Sequence, residues 1–219
     1  MAQKQFAGAK KHATSLLWNV EQYFIRSITP HAPQFLGTRR LTMCTLLWSA
    51  LVLYFSWRAQ ENILWLWGAS GMLLAQYLTD ILDGAVGRHR NEGFVRWGFY
   101  MDHVLDFVLA ISVFIGYSFL VGSSYVVVLF IFFAIFAIIP ASMFLSFSGY
   151  NAFKIGSLGF GPTEYRLIII FLNAAIIYFG VSAFETVLPY LIVLLALYVC
   201  ILVYQTQKDM SNMDIVAKR

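Results

Sequence analysis

Long apolar runs alternate with short polar connections along most of the chain. A membrane-spanning helix needs about 20 mostly apolar residues, and six of the runs come close to that length. Connections as short as RAQEN, GSS and SAFET favour helices that lie antiparallel to their neighbours along the chain. We therefore predict an all-α integral membrane fold in which residues 41–204 form a bundle of six transmembrane helices. The predicted spans are Leu41–Trp57, Ile63–Asp83, Gly98–Val121, Tyr125–Leu145, Tyr165–Val181 and Val187–Tyr204.

The segment ahead of the first span is too short and too polar to cross a membrane, but it has a helical pattern. Within TSLLWNVEQYFIR the large apolar residues fall on one helical stripe. Such a stripe is typical of an amphipathic helix on a membrane surface, and Pro30 and Pro33 would end that helix. We predict residues 1–35 to be a cytoplasmic amphipathic segment. The stripe consists of Leu16, Leu17, Val20, Tyr23 and Phe24.

The composition supports a membrane protein and excludes an ordinary soluble enzyme. Hydrophobic residues make up 60% of the chain, charged residues only 12%, and the mean hydropathy is +0.71, whereas a soluble domain carries about 25% charged residues. The spans take up nearly the whole length, so residues 1–219 are predicted to form a single domain. Cys44 and Cys200 both lie in apolar runs, which is typical of packing residues.

Basic residues set the expected orientation, because cytoplasmic loops carry an excess of lysine and arginine. With a cytoplasmic N-terminus, Arg58 alone of the 15 lysines and arginines would lie on the outer side. Both termini, including the tail 205–219, are therefore expected on the cytoplasmic side of a bacterial inner membrane or of the endoplasmic reticulum. Anionic lipid headgroups account for the net charge of +4, and no motif for nucleic-acid binding accompanies it.

Four aspartates interrupt the apolar pattern at the cytoplasmic ends of two predicted spans. Asp80 and Asp83 close the second span, and Asp102 and Asp106 open the third. Residues three or four apart share one face of a helix, so each pair points in one direction. The connecting residues 84–97 make the two helices antiparallel neighbours, and the pairs are expected to face each other at one depth in the membrane.

Clustered carboxylates need compensating positive charge. Arg88, Arg90 and Arg96 follow nearby and offer the plainest partners, with the aspartates facing water at the interface. Carboxylates grouped in this way more strongly indicate divalent cations, and all-oxygen ligands suit Mg²⁺, Mn²⁺ or Ca²⁺ rather than Zn²⁺. Two ions held by shared carboxylates are the usual machinery for moving a phosphoryl group. A proton or cation transporter is a second interpretation, although the middles of the spans lack charged residues for a conduction path.

Glycines and an arginine lie among the aspartates at fixed spacing. The segment from Asp80 to Asp106 is D-x2-D-G-x2-G-R-x9-G-x3-D-x3-D. It closely resembles the signature of the CDP-alcohol phosphotransferase family, D-x2-D-G-x2-A-R…G-x3-D-x3-D. The motif covers 27 residues and matches at seven of its eight fixed positions, and only Gly87 stands where the family usually has alanine. The six spans and the amphipathic N-terminal helix also look like this family.

The resemblance implies a metal-dependent membrane enzyme of phospholipid synthesis. Such an enzyme cleaves the pyrophosphate of a CDP-linked donor, passes the phospho group to an alcohol acceptor and releases CMP. At least one substrate is a lipid, the cofactor is Mg²⁺ or Mn²⁺ as two ions, and the family usually forms homodimers. The resemblance implies that Asp80, Asp83 and Asp102 are metal ligands and that Asp106 borders the metal site and acts as general base. It also implies contacts of Gly84 and Gly98 with the nucleotide and of Arg88 with the donor phosphate. We add Asp106 to the predicted metal ligands and Gly87, a small residue within the motif, to the predicted donor contacts.

The connection between the fourth and fifth spans returns to the side of the motif and holds candidate acceptor contacts. Lys154 and Arg166 could bind an acceptor phosphate, whereas Glu164 could bind an amino-alcohol headgroup. The stretch GPTE resembles a segment of the choline and ethanolamine phosphotransferases, but the chain length looks more like the phosphatidyltransferases. Phosphatidyl transfer from CDP-diacylglycerol is slightly favoured over phospho-amino-alcohol transfer to diacylglycerol. A cation-coupled transporter, or a non-enzymatic membrane protein with a vestigial metal site, is the alternative from another class.

Overall fold

The computed structural model describes residues 18–150 and 162–217, and every regular element within these two ranges is helical. Two short 3-10 turns, Thr29–His31 and Ile63–Trp65, precede the second and third helices. The all-α class predicted from the sequence is therefore confirmed. The helices are α1 (Trp18–Ile28), α2 (Thr38–Arg58), α3 (Leu66–His89), α4 (Val95–Ser118), α5 (Ser123–Tyr150), α6 (Pro162–Phe179) and α7 (Val181–Ala217).

Each of the six predicted spans overlaps one of the helices α2 to α7. One expected connection was wrong, because SAFET forms the first turns of α7 instead of a loop. The chain turns between α6 and α7 at Gly180, whose φ of 86° lies in the left-handed region that glycine tolerates. At its other end, α7 continues without a break from the last predicted span through the tail to Ala217.

Four of the described helices are long and apolar enough to cross a membrane, namely α2, α4, α5 and α7. Helices α3 and α6 are not among them, and these two carry charged residues that belong to the site described below. Helical composition and four such helices suggest an integral membrane protein. The count of six spans remains a prediction.

Helix α1 lies where the amphipathic segment was expected, and it packs against α3. Tyr23 on this helix is exposed, whereas Glu21 is buried against the bundle. Leu16 and Leu17 of the expected apolar stripe lie outside the described residues. The placement of α1 on a membrane surface remains a prediction.

Helix α2 connects the two helices that carry the aspartates, because it packs along both α3 and α4. Helix α3 also contacts α6, and α5 packs against α7. Outward faces expose large apolar side chains such as Phe130, Phe171 and Leu194, as expected for a surface in contact with lipid. The main core contains Val52, Leu73, Leu109, Val113, Ile176 and Leu188.

Small polar residues line one face of α2 at helical spacing. Neighbouring helices approach this part of α2 closely, since a Cβ atom added to Gly116 would lie 2.5 Å from Ser56 Oγ. Small side chains permit such an approach between apolar helices. At the other end of α2, the hydroxyl groups of Thr38 and Thr42 lie beside Asp83 of α3. The buried residues of this face are Thr38, Thr42, Thr45, Ser49 and Ser56.

Candidate active site

The two aspartate pairs meet at one end of the bundle. Asp80 and Asp83 lie in the C-terminal half of α3, and Asp102 and Asp106 lie in the N-terminal half of α4. The carboxyl groups of Asp83 and Asp102 are within hydrogen-bonding range of each other, and both Asp80 and Asp106 are close enough to act on Asp102 electrostatically. The structure thus brings together the four carboxylates that the spacing placed on two helix faces.

Helix α2 forms a third wall of this cluster, which the sequence analysis did not anticipate. In the described ranges α3 and α4 both pack extensively along α2, whereas any packing of their backbones along each other is slight. Thr42 Oγ1 donates a hydrogen bond to Asp83 Oδ2 at 2.8 Å, and Thr38 Oγ1 donates to the backbone carbonyl of Asp83 at 3.1 Å. Asp83 is only 4% exposed. The two threonines therefore hold a buried carboxylate in one orientation.

Arg166 supplies positive charge to the cluster. Its Nη2 atom lies 3.1 Å from Asp80 Oδ2 and 3.0 Å from Asp106 Oδ1, so one guanidinium bridges the two helices. The Arg166 side chain is 7% exposed, whereas the side chains of Asp80 and Asp106 are 26% and 36% exposed. A buried arginine paired with two carboxylates is costly to disturb, because each remaining charge would be left without compensation.

None of the three arginines that follow Asp83 in the sequence contacts the cluster among the described interactions. Arg90 donates to the backbone carbonyls of Ala32 and Leu36 and so ties the end of α3 to the segment before α2. Arg88 and Arg96 are exposed. The plainer interpretation, in which these arginines neutralise the aspartates, is therefore wrong, since Arg166 of α6 takes that place.

The chemistry of the cluster fits a hard divalent cation. Its donor atoms are all carboxylate oxygens, the ligands that Mg²⁺ and Mn²⁺ take, and one arginine cannot balance four carboxylates. Asp102 Oδ1 is buried and has no hydrogen-bond partner in the described part of the chain. Within that part of the chain, no group of three acidic, histidine or cysteine side chains is arranged closely enough to hold a metal ion. Asp80 and Asp106 each turn an oxygen toward Arg166 instead.

The glycines of the motif border open space or flexible side chains. Gly98 is buried, yet a Cβ atom added there would meet no atom within 4 Å from the other described residues outside its own stretch of helix. A Cβ at Gly84 would meet only the end of Arg88, with Nη1 at 3.2 Å. This leaves room beside the aspartates for part of a ligand, as expected for residues that contact a nucleotide.

Gly87 has a different role in packing. A Cβ atom at this position would collide with Oγ1 of Thr38, the hydroxyl that also bonds to the carbonyl of Asp83. The alanine that the resemblance leads one to expect would therefore displace Thr38. Glycine at position 87 goes together with threonine at position 38 in this chain.

The three candidate acceptor contacts have separate outcomes. Lys154 lies outside the described residues. Glu164 is buried in the first turn of α6, which begins at Pro162. Arg166 is two residues further along α6, and its side chain contacts Asp80 and Asp106. The structure therefore places one of the proposed acceptor contacts inside the aspartate cluster itself.

Glu21 of α1 is a buried polar residue that the sequence analysis missed. Its Oε1 atom accepts hydrogen bonds from the Tyr77 hydroxyl at 2.9 Å and from Thr163 Oγ1 at 3.0 Å. These bonds join α1 to α3 and to the first turn of α6, where Thr163 comes directly before Glu164 and three residues before Arg166. A single acidic residue within an apolar stripe was the signal available for it. The repeated threonines and serines of the first span were the corresponding signal for Thr42.

The apolar helical bundle groups carboxylates, a buried arginine and glycine-lined space at one end. These features define an integral membrane protein with a polar site suited to cations and phosphates. The profile of CDP-alcohol phosphatidyltransferase matches residues 31–205. The chain belongs to the CDP-alcohol phosphatidyltransferase family. It is therefore a transferase that moves a phospho-alcohol group from a CDP-alcohol in phospholipid synthesis.

Searches of the curated proteins and of the solved structures give no significant match to this chain.

Proposed function

We propose that this protein is a metal-dependent enzyme that releases CMP from a CDP-linked donor and joins the remaining phospho group to a hydroxyl acceptor. The observation that carries the proposal is the cluster of Asp80, Asp83, Asp102 and Asp106 around Arg166. We favour phosphatidyl transfer from CDP-diacylglycerol to an alcohol. Transfer of a phospho-amino-alcohol to diacylglycerol is the next candidate. It is supported by Glu164, a buried carboxylate two residues before Arg166 that could bind an amino-alcohol headgroup.

The four aspartates are the residues that would hold two Mg²⁺ or Mn²⁺ ions. When bound, such ions neutralise the pyrophosphate and ease departure of CMP. The unpartnered Oδ1 atom of Asp102 and the buried Asp83 carboxylate form the inner part of the ligand set. Thr42 fixes the direction of Asp83, which limits the positions that the donor can occupy.

Asp106 is the residue that we assign as general base. Its side chain is more exposed than that of Asp80, so an incoming hydroxyl can reach it. The carboxylate takes the proton as the hydroxyl oxygen attacks the phosphorus atom, and the bond to CMP breaks. Arg166 donates a hydrogen bond to this carboxylate and so holds it in place before the acceptor arrives.

The nucleotide and donor phosphate are proposed to lie along Gly84, Gly87, Gly98 and Arg88. Open space at Gly98 and a flexible arginine beside Gly84 support this placement. Arg88 is exposed at the end of α3 and can turn its guanidinium toward a phosphate. Lys154, Glu164 and Arg166 remain the proposed acceptor contacts.

The six-span topology, cytoplasmic termini and cytoplasmic active site belong to the same proposal, as does a homodimer. The distribution of lysine and arginine along the sequence supports the orientation. Bacterial inner membrane and endoplasmic reticulum fit it equally.

Release of CMP by the purified protein in detergent with Mg²⁺ tests the proposed function. CDP-diacylglycerol and CDP-choline are offered separately, each with a mixture of alcohol acceptors or with diacylglycerol. We expect release with one donor only, and loss of that release when EDTA removes the metal. Transport or binding of cations without consumption of either donor would support the alternative class and contradict the enzyme.

Replacement of Gly98 by alanine should separate ligand contact from folding. Apart from the helix's own backbone, no atom of the described residues lies within 4 Å of the added Cβ. Alanine also favours a helix over glycine by roughly 1 kcal/mol, so the melting temperature should not fall. Turnover should fall on the order of tenfold or more because the methyl group occupies space used by the nucleotide. CMP release and thermal unfolding are measured on one preparation.

Gly71→Ala is the matched control, since a Cβ at this α3 position also meets nothing within 4 Å and lies two turns or more from the aspartates. It should leave both quantities at the wild-type level. Equal turnover of Gly98→Ala and Gly71→Ala would show that the nucleotide does not lie against α4 at position 98.

A further inference from the structure

Gln76 is a buried polar residue one helical turn before Asp80 on α3, and its side chain has no hydrogen-bond partner among the described residues. It lies four residues before Asp80 and seven before Asp83, so the three side chains share one face of α3. Gln76 is 1% exposed, and neither Oε1 nor Nε2 makes a hydrogen bond within the described part of the chain. A buried amide left in this state lowers stability, and an apolar residue would serve packing better at this position.

Ser49 of α2 is a second buried hydroxyl without a described hydrogen bond. The bonds from Thr42 to Asp83 and from Trp48 to Thr79 set the register of the antiparallel helices α2 and α3. In that register Ser49, two turns beyond Thr42 on the same face, is level with Gln76. Two unpartnered polar groups from different helices therefore lie at one depth, between the aspartates and the core residue Leu73.

The depth of this pair matches the chemistry of a glycerolipid. One helical turn, about 5.4 Å, separates Gln76 from Asp80 in the direction of the apolar middle of the bundle. In a glycerolipid whose phosphate or reacting hydroxyl is at the aspartates, the ester carbonyls lie several ångströms deeper. A carbonyl oxygen accepts hydrogen bonds, and the Gln76 amide and the Ser49 hydroxyl can both donate them.

We propose that Gln76 and Ser49 form a binding site for the ester carbonyl of the lipid substrate, one turn below the reacting groups. This rests on the proposed function, since it takes the aspartates as the place of reaction. The pair gives the enzyme a means to distinguish ester-linked glycerolipids from lipids that lack a carbonyl at this depth. It also accounts for two buried polar groups that make no side-chain hydrogen bond within the described residues.

The test compares wild type with Gln76→Leu and Ser49→Ala, using dioleoyl lipid substrate and its dialkyl ether analogue, which lacks both carbonyls. The lipid is CDP-diacylglycerol or diacylglycerol, whichever supports CMP release by the wild type. Wild type should use the ester with a KM about tenfold below that of the ether. Gln76→Leu should raise the KM for the ester to the level of the ether, and leave the KM for the water-soluble substrate unchanged. Ser49→Ala should act in the same direction with a smaller effect.

Thermal unfolding distinguishes this role from a structural one. Loss of an unpartnered buried amide should leave the melting temperature of Gln76→Leu equal to or above that of wild type. Gln60→Leu, at an exposed glutamine beyond the other end of α2, is the matched control and should retain wild-type KM values. If Gln76→Leu still prefers the ester over the ether by the wild-type factor, the inference is overturned. Absence of CMP release from wild type would instead contradict the proposed function.

Discussion

Asp106→Asn is expected to lower the rate of CMP release by about 10²–10⁴-fold, the usual contribution of a general base. The carboxamide cannot take the proton of the incoming hydroxyl. It also removes the negative charge that Arg166 Nη2 contacts at 3.0 Å. The effect should fall on kcat, because the change leaves the size of the side chain and the space for both substrates almost unaltered. Steady-state rates with the preferred donor measure it.

Glu185→Gln provides the matched control for Asp106→Asn. Glu185 is a carboxylate near the start of α7 that accepts a hydrogen bond from the backbone amide of Gly122, away from the aspartates. Its replacement should leave turnover within about twofold of wild type, since surface substitutions of this kind have small effects. Turnover of Asp106→Asn within the same range would remove Asp106 from the role of general base and leave the other three aspartates as metal ligands.

Arg166→Ala is expected to reduce both stability and turnover. Removal of one partner from a buried ion pair costs about 3–5 kcal/mol, because the remaining charges are left without compensation. Here the remaining charges are Asp80 and Asp106, on two different helices. In EDTA the melting temperature in detergent should therefore fall well below that of wild type. Added Mg²⁺ should raise it more in the variant than in wild type, because cations take over part of the lost compensation.

Arg166→Lys and Arg96→Ala complete this experiment. Lysine keeps the charge but cannot match the planar donor geometry of arginine, so an intermediate loss of stability is expected. Arg96 is exposed at the start of α4 and its loss should change neither quantity. Wild-type melting of Arg166→Ala in EDTA would contradict the bridge between α3 and α4. If Arg166→Ala instead lost turnover with phosphorylated acceptors but kept it with other acceptors, the result would support acceptor binding by Arg166.

The helices of this protein could be predicted from the sequence because their signal is local. In a lipid environment every spanning segment must satisfy its backbone internally and present apolar side chains outward, so the apolar runs mark α2, α4, α5 and α7 directly. The same reasoning from apolar runs wrongly predicted SAFET to be a loop between two helices. Polar residues are tolerated in a helix beyond the apolar core, and the turn depends on Gly180 alone. Nothing in the composition of SAFET distinguishes a loop from the first turns of α7.

The pairing of the aspartates was also accessible from the sequence, since i,i+3 and i,i+4 spacing assigns residues to one helix face. Their electrostatic partner was not. Arg88, Arg90 and Arg96 are near in sequence, but Arg90 bonds to backbone carbonyls before α2 and the other two are exposed. The residue that bridges the helices is Arg166, 60 positions beyond Asp106. Proximity along the chain therefore suggested the wrong arginines.

The sequence by itself determined the membrane-type helical fold, the faces that carry the carboxylates and the family to which the chain belongs. Each of these depends on composition or on spacing within one helix. Only the tertiary structure decided that α2 joins α3 and α4 and that Thr42 orients Asp83. It also decided that Gln76 and Ser49 lie at one depth with no side-chain hydrogen bond to the rest of the described chain. Those features depend on which helices pack together and in which register, and close packing of small residues on different helices sets both.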